Sequence, residues 1–287
     1  MYEELAVVYV LRHPAAHITS ATILGARDGA RLVRAGTTAH FEVDYQRQLG
    51  GSGETLAQGV LATCEADFEQ LKEWFGGLTP SGLPIRCVIV TGSFGAFHAT
   101  CSDTELHVAA FDETNPELVE MLTMAEVVEV FSANQKRGWN CGASNGEGLS
   151  RVLATELHPT QLDGFATAAA WLNSKRANFV DRNDPTDQDP VSTGCATLFL
   201  NYLHYQLGYR WQDIVTYGHP TLAETYHALA GGTTDAWHDF SSLLAEHFPP
   251  GTRVNVVADN VFPLGAAPPS SRSPGRGSLD RRKRIRS

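Results

Sequence analysis

The sequence has no run of apolar residues long enough to cross a lipid bilayer. A transmembrane helix needs roughly 20 consecutive, mostly apolar residues, and no stretch of the 287 residues approaches that length. The amino terminus also lacks a basic start followed by an apolar run and a small-residue cleavage site, so we expect no signal peptide. These absences predict a soluble, cytoplasmic protein that has no membrane partner.

Most of the chain also lacks an excess of basic residues. The formal net charge is −10, although the last sixteen residues, 272–287, contain seven Arg or Lys and one Asp. The rest of the chain therefore carries a net charge near −16, and such a body repels the phosphate backbone of DNA or RNA. We expect no nucleic-acid partner, except one that binds the basic tail, which we expect to be disordered.

Cysteines never occur in the paired spacing that is typical of zinc ribbons or redox motifs. The five cysteines lie singly, at positions 64, 87, 101, 141 and 195. Cys87 and Cys101 could bridge two neighbouring strands, a question that the sequence leaves open. Cys141, in a glycine-rich loop, and Cys195, just inside a helix, are candidates for activated thiols, but a small buried cysteine is the commoner interpretation for each.

The hydrophobic pattern predicts an α+β fold: a small mixed sheet packed on helices, followed by a mostly helical C-terminal half. The predicted strands cover 37–45, 83–92, 104–111 and 252–258, and the predicted helices cover 56–75, 116–135, 147–156, 161–174, 194–208, 221–229 and 237–248. Thr221 and Glu224 have the spacing of a capping box. The predicted domains are an N-terminal extension at 1–36, an α+β domain at 37–158, a helical subdomain at 159–265 and a tail at 266–287.

Two glutamates lie three residues apart in the helix predicted at 116–135, in the stretch "MAEVVEVF". Residues at this spacing share a helix face, so Glu126 and Glu129 point the same way. Two like charges on one partly apolar face repel each other unless they meet a cation, a proton or water. A third acid, Glu147, lies between two glycines in "SNGEGLS". The spacing fits either a solvated face or a shared site.

This set of residues resembles the gluzincin branch of zinc metallopeptidases over about residues 37–158. That family carries His-Glu-x-x-His on a long helix, with a later Glu as the third zinc ligand and the first Glu as general base. By this resemblance Glu126 matches the general base and Glu147 matches the third ligand. Ala125 and Glu129 stand where the family has its two zinc-binding histidines.

The resemblance implies a degenerate peptidase that binds a peptide or a protein in the former active-site cleft and needs no cofactor. As the alternative, Glu126, Glu129 and Glu147 could form a hydrolase site. That site would work with or without a divalent cation, bound chiefly by Glu129 and Glu147. Two carboxylates in one cleft acquire separated pKa values, which suits acid–base chemistry.

Several histidines and one acidic loop are further candidates. The resemblance implies that His204 or Tyr205, from the helical half, could stabilise an oxyanion in an active enzyme. His98 borders the strand that flanks the family's substrate groove, but we expect an ordinary surface role for it and for His107. His158 would lie about 16 Å along a helix from Glu147, too far to share a metal. The loop "DRNDPTDQD" at 181–189 fails the EF-hand pattern, so we expect it to be solvated.

Overall fold

The computed structural model describes residues 31–265, apart from 93–94, 112–113, 160–165, 187 and 233–234. Within these ranges the chain forms one five-stranded mixed sheet and eight α-helices, which confirms the predicted α+β class. No helix in this part of the chain combines the length and the apolar character that crossing a bilayer would require. The basic tail at 272–287 lies outside the described residues.

The sheet has a parallel centre and two antiparallel edges. Its strands are β1 Leu32–Thr37, β2 Phe41–Gln46, β3 Ile85–Thr91, β4 Gly95–His98 and β5 Glu105–Ala110. Their order is β1-β2-β3-β5-β4, in which β2, β3 and β5 run parallel while β1 and β4 pair antiparallel with their single neighbours. The hydrophobic pattern predicted neither edge strand, and all of β1 except Thr37 lies inside the range that we assigned to an N-terminal extension.

The helices follow the predicted order with a few differences. They are α1 Gly50–Trp74, α2 Pro116–Gln135, α3 Ser144–Leu157, α4 Ala168–Leu172, α5 Pro190–Asn201, α6 Trp211–Thr216, α7 Leu222–Ala230 and α8 Ala236–His247. A π-helical turn, Tyr202–Gln206, extends α5. The capping box at Thr221 and Glu224 is confirmed, but residues 252–258 form no strand. In the stretch predicted as a helix at 161–174, only α4 is helical among the described residues.

Short polar residues start α2, which forms one wall of the cleft described below, and α5. Asn115 accepts a hydrogen bond from the backbone of Glu117, and Pro116 occupies the first helical position of α2, where its missing N–H costs nothing. Asp189, in the acidic loop, caps α5 by accepting from the backbone N–H groups of Val191 and Ser192. At least this aspartate of the loop therefore has a structural role, while Asp187 lies outside the described residues.

One hydrophobic core runs through both predicted domains. On the sheet side, the Phe68 ring of α1 lies 6.0 Å from Phe41 and 5.2 Å from Phe131, which joins β2, α1 and α2. On the helical side, Phe199 of α5 lies 5.2 Å from Phe240 of α8. All of these rings belong to the same continuous cluster of buried residues. The α+β part and the helical part, which the sequence had divided at residue 159, therefore share this cluster.

Candidate functional site

A cleft of about 460 Å³ lies between the edge of the sheet and two helices. Its walls are residues 95–101 of β4 and the following loop, one face of α2, and the start of α3 with the loop before it. All three glutamates that the sequence singled out, Glu126, Glu129 and Glu147, line this cleft. The structure therefore brings the predicted carboxylates to one place.

The cleft face of α2 is set by the spacing of its residues. Ala125, Glu126 and Glu129 line the cleft, while Val127, Val128, Val130 and Phe131 point into the core and are fully buried. The two glutamates are themselves buried, with 8% and 7% of their surface exposed. The interpretation of this face as solvated is therefore wrong, because the sheet edge and α3 cover it.

His98, at the end of β4, points at these two carboxylates. Its Nε2 lies 3.0 Å from Glu129 Oε2 and 3.8 Å from Glu126 Oε2. Only 5% of its side chain is exposed, and His107 is also buried, so the predicted surface role is wrong for both histidines. The family resemblance had placed His98 beside the groove, and this was the only sequence signal that pointed to it.

Burial lowers the pKa of His98 below its ordinary value, and the backbone and carboxylate of nearby Asp103 offset only part of this. His98 Nε2 and Glu129 Oε2 form a hydrogen bond, in which a ring N–H donates to the carboxylate. The other ring nitrogen, Nδ1, is also buried. The backbone of Asp103 lies close to this ring as well.

A disulfide joins two walls of the cleft. Cys101, in the loop after β4, bonds to Cys141, in the loop before α3, with their Cα atoms 5.8 Å apart. The suggested Cys87–Cys101 pair is therefore wrong, and Cys141 is not a free nucleophile. Cys87 and Cys195 are fully buried free thiols whose pKa values burial raises to about 12, so neither is an activated cysteine.

The loop that leads into α3 is fixed by contacts of its own residues. The Trp139 indole N–H donates to the Val215 carbonyl, and the Asn145 amide donates to the Gly138 carbonyl. A Cβ atom on Gly146 would lie 2.0 Å from the Asn140 carbonyl oxygen, so only glycine fits there. These contacts hold Glu147 at the first turn of α3, facing the cleft.

Three side chains in the cleft have the types and the proximity of a metal site. The ligand atoms of His98, Glu129 and Cys141 all lie within 4.8 Å of one another. Among the described residues this is the group of three potential metal ligands whose atoms lie this close together. It includes neither Glu126 nor Glu147. The sequence had paired Glu129 with Glu147, so the structure keeps Glu129 and groups it with two residues that the sequence did not associate with it.

The two candidates from the helical half lie elsewhere. The His204 ring stacks on Trp211 at 4.3 Å, and its Nδ1 contacts the Tyr209 carbonyl oxygen at 2.7 Å. Tyr205 donates a hydrogen bond to Glu156 at the far end of α3, about 13 Å along the helix from Glu147. Neither His204 nor Tyr205 is among the residues that line the cleft. In the structure, both residues make contacts that join neighbouring segments of the chain, away from the cleft.

The cleft combines three carboxylates, an imidazole, a guanidinium from Arg151 and a disulfide. Such a set can hold a cationic group, move a proton between oxygen and nitrogen, or bind a metal once a thiol is released. The resemblance to gluzincins continues to depend on the motif residues of α2 and α3. Comparisons of the chain with protein-family models, with curated proteins and with solved structures found no match.

Proposed function

We propose that the chain is a degenerate gluzincin-like protein that binds an extended peptide in its cleft and does not cleave it through zinc. The observation that carries the proposal is that four successive residues of the edge strand, Gly95–His98, all line the cleft. Side chains of a strand alternate between its two faces, so four residues in a row indicate that the backbone edge itself borders the cleft.

That backbone edge is suited to take up another strand. In the described sheet β4 pairs with β5 alone, so the N–H and C=O groups on its other side have no strand partner. An extended peptide can add to such an edge as an extra strand, with main-chain hydrogen bonds giving affinity and side-chain pockets giving specificity. The proposed ligand is therefore a peptide segment in extended conformation, held as a sixth strand.

The charge of the cleft selects among such peptides. Three carboxylates, those of Glu126, Glu129 and Glu147, line the cleft together with one guanidinium, that of Arg151. Complementary charge favours a partner with a basic side chain or a free amino terminus at this point, and repels acidic segments. We therefore propose a basic, extended peptide rather than an acidic one.

The residue types also argue against the zinc mechanism of the family. Ala125 stands where the first zinc-binding histidine is expected, and an alanine side chain has no ligand atom. Glu126, at the position of the general base, is retained, but the pair of histidines that would hold the metal beside it is not. The residues at these motif positions therefore support peptide binding without zinc-dependent cleavage.

The test measures peptide binding to the disulfide-bonded chain, in the presence of a chelator, by fluorescence anisotropy. Basic extended peptides are expected to bind, and N-methylation of alternate backbone amides should weaken binding at least about tenfold, because each lost hydrogen bond contributes about 1 kcal/mol. Glu129→Gln should weaken binding of basic peptides, whereas Glu54→Gln, at an exposed site on α1, should leave it unchanged. Binding that ignores backbone methylation would overturn the proposal.

A hydrolase is the second candidate, favoured by the contacts of His98 with both Glu129 and Glu126. An imidazole beside two carboxylates is a plausible acid–base set, with or without a divalent cation. Peptides and simple esters incubated with the chain and analysed by mass spectrometry distinguish the two functions. Turnover that Glu126→Gln abolishes, while peptide binding persists, would establish the hydrolase. Binding without turnover supports the binding protein.

A further inference from the structure

Cys141 belongs to a cluster whose three members come from three separate segments. His98 is on β4, Glu129 is on α2, and Cys141 is in the loop before α3, with all ligand atoms within 4.8 Å. Tetrahedral zinc, with bonds of about 2.0–2.3 Å, places its ligand atoms about 3.3–3.6 Å apart. The cluster therefore needs side-chain movements of only about 1 Å to surround one ion.

The donor atoms suit zinc in type and in charge. An imidazole nitrogen, a carboxylate oxygen and a thiolate sulfur are the three kinds of protein ligand that zinc accepts. A thiolate at Cys141 and the Glu129 carboxylate together balance the two charges of the ion. His98 Nε2 lies 3.0 Å from Glu129 Oε2, so two of the three ligand atoms already face each other.

In the disulfide-bonded chain the sulfur of Cys141 is taken by Cys101. Both cysteines are partly exposed, so a reductant can reach the bond from the cleft. We infer that the chain contains a redox-gated zinc site. Reduction of the Cys101–Cys141 disulfide frees the Cys141 sulfur, and His98, Glu129 and Cys141 then bind Zn²⁺ with a fourth position left for water.

The chemistry balances with a dithiol as reductant. The dithiol gives two electrons and two protons to the Cys101 and Cys141 sulfurs, and its own two sulfurs join in a new disulfide. Zinc then replaces the proton of the Cys141 thiol, which passes to solvent. Reoxidation reverses both steps and expels the ion, because a sulfur in a disulfide bond is not a thiolate ligand.

The ion would take over the structural task of the disulfide. The disulfide links the loop after β4 to the loop before α3, and zinc on His98 and Cys141 would link the same two segments while adding α2 through Glu129. The cleft walls stay joined in both redox states. This inference goes beyond peptide binding and does not depend on it, because zinc uptake is measured without a peptide.

The experiment uses the full chain purified without chelator, oxidised or treated with a phosphine. The phosphine reduces the disulfide while being converted to its oxide by water, and is chosen because dithiols themselves bind zinc. Zinc affinity is measured by competition with a chromophoric indicator, and Co²⁺ is added in parallel as a spectroscopic probe of thiolate ligation. Reduced chain should bind one ion, with a thiolate-to-cobalt charge-transfer band, and oxidised chain should not.

Variants separate the ligands from the disulfide. Cys101→Ser leaves Cys141 free, so this variant should bind zinc without any reductant. Cys141→Ser, His98→Ala and Glu129→Gln should each weaken zinc binding at least about tenfold in the reduced state, because each removes one of three protein ligands. His238→Ala and Glu54→Gln change exposed residues and are the matched controls, and circular dichroism checks that every variant is folded.

Several results would overturn the inference. Reduced wild-type chain that binds no zinc would do so, as would Cys101→Ser that still requires reductant. Zinc binding that survives Cys141→Ser with its charge-transfer band intact would place the thiolate ligand on another cysteine, Cys101, Cys64, Cys87 or Cys195. If the reduced wild-type chain binds no zinc but still binds peptide, this inference is removed and the proposed function stands.

Discussion

His158, at the end of α3, lies between acidic side chains from two other helices. Its Nε2 contacts Asp67 of α1 at 2.9 Å and its Nδ1 lies 3.4 Å from Glu120 of α2, with all three side chains about nine-tenths buried. Burial by itself lowers the pKa of His158, but the hydrogen bond to Asp67 and the attraction of Asp67, Glu120 and Glu117 outweigh it. The net effect raises the pKa above 6.5.

This shift predicts how stability depends on pH. The pKa of His158 is higher in the folded than in the unfolded chain. The protonated imidazole therefore stabilises the fold in full at pH values below the unfolded-state pKa, and this stabilisation is lost as the pH rises through the folded-state pKa. His158→Ala leaves Asp67 and Glu120 facing each other, so we expect it to lower the free energy of unfolding by about 3 kcal/mol near pH 6. Urea unfolding at a series of pH values measures this.

The difference between His158→Ala and wild type should shrink as the pH rises through the raised folded-state pKa of His158, where the wild-type imidazole loses its proton. His238→Ala, at an exposed histidine of α8, should show no such trend and serves as the control. A difference that stays constant across the series would mean that His158 contributes packing and not charge.

His98 shows why single residues of the cleft escape prediction. Glu126 and Glu129 share a helix face because of their spacing alone, and the sequence is sufficient to pair them. His98 and Glu129 are 31 positions apart, and their contact requires β4 to occupy the sheet edge next to α2. No local pattern in the sequence encodes that arrangement.

At the scale of elements, the approach of α3 to α5 is set by one glycine. A Cβ atom on Gly148 would lie 2.6 Å from the Ala196 Cβ and 3.2 Å from the Ala196 carbonyl carbon. Real Cβ contacts are not that short, so the two helices pass closer than any larger residue would allow. Glu147 precedes this glycine, and the close packing therefore fixes the first turn of α3 in the cleft wall.

We expect Gly148→Ala to destabilise the fold in spite of the better helix propensity of alanine. The propensity gain is about 1 kcal/mol at most, whereas forcing extra volume into a packed contact costs about 1–3 kcal/mol. Gly51→Ala in α1, where a Cβ would meet nothing within 4 Å, should be neutral or slightly stabilising. Thermal unfolding of both variants measures the contrast, and equal effects would show that α3 can shift at little cost.

The elements differ in how well the sequence predicted them. The long helix α1 was predicted because apolar residues recur at helical spacing, and α2 was predicted because Pro116 marks a helix start. The edge strands β1 and β4 were missed because they are short, with six and four residues, and because none of their residues is fully buried. A short edge strand is defined by its neighbour in the sheet more than by its own residues.

At the scale of the whole molecule, the Cys101–Cys141 disulfide closes a loop of 40 residues that contains β5 and α2. Closing a loop of this length removes conformational entropy from the unfolded chain, an effect of about 4 kcal/mol in the chain-entropy model. The crosslink therefore stabilises the cleft walls as part of the global fold.

The double variant Cys101→Ser/Cys141→Ser is expected to lose up to about 4 kcal/mol of unfolding free energy in zinc-free buffer. Wild-type chain reduced with a phosphine in the presence of chelator should unfold at the same urea concentration as the double variant. Unchanged stability in both samples would show that the disulfide restrains nothing that the core does not already hold.

The sequence by itself determined the α+β class, the main helices, the capping box at Thr221 and Glu224, the acidic body and the shared face of Glu126 and Glu129. These features follow from local periodicity and from short-range hydrogen bonding, which neighbouring residues encode directly. Only the tertiary structure decided that an edge strand borders the cleft and that His98 and Cys141 meet Glu129. Those contacts join segments far apart in the chain, so they depend on strand order and on helix packing around one core.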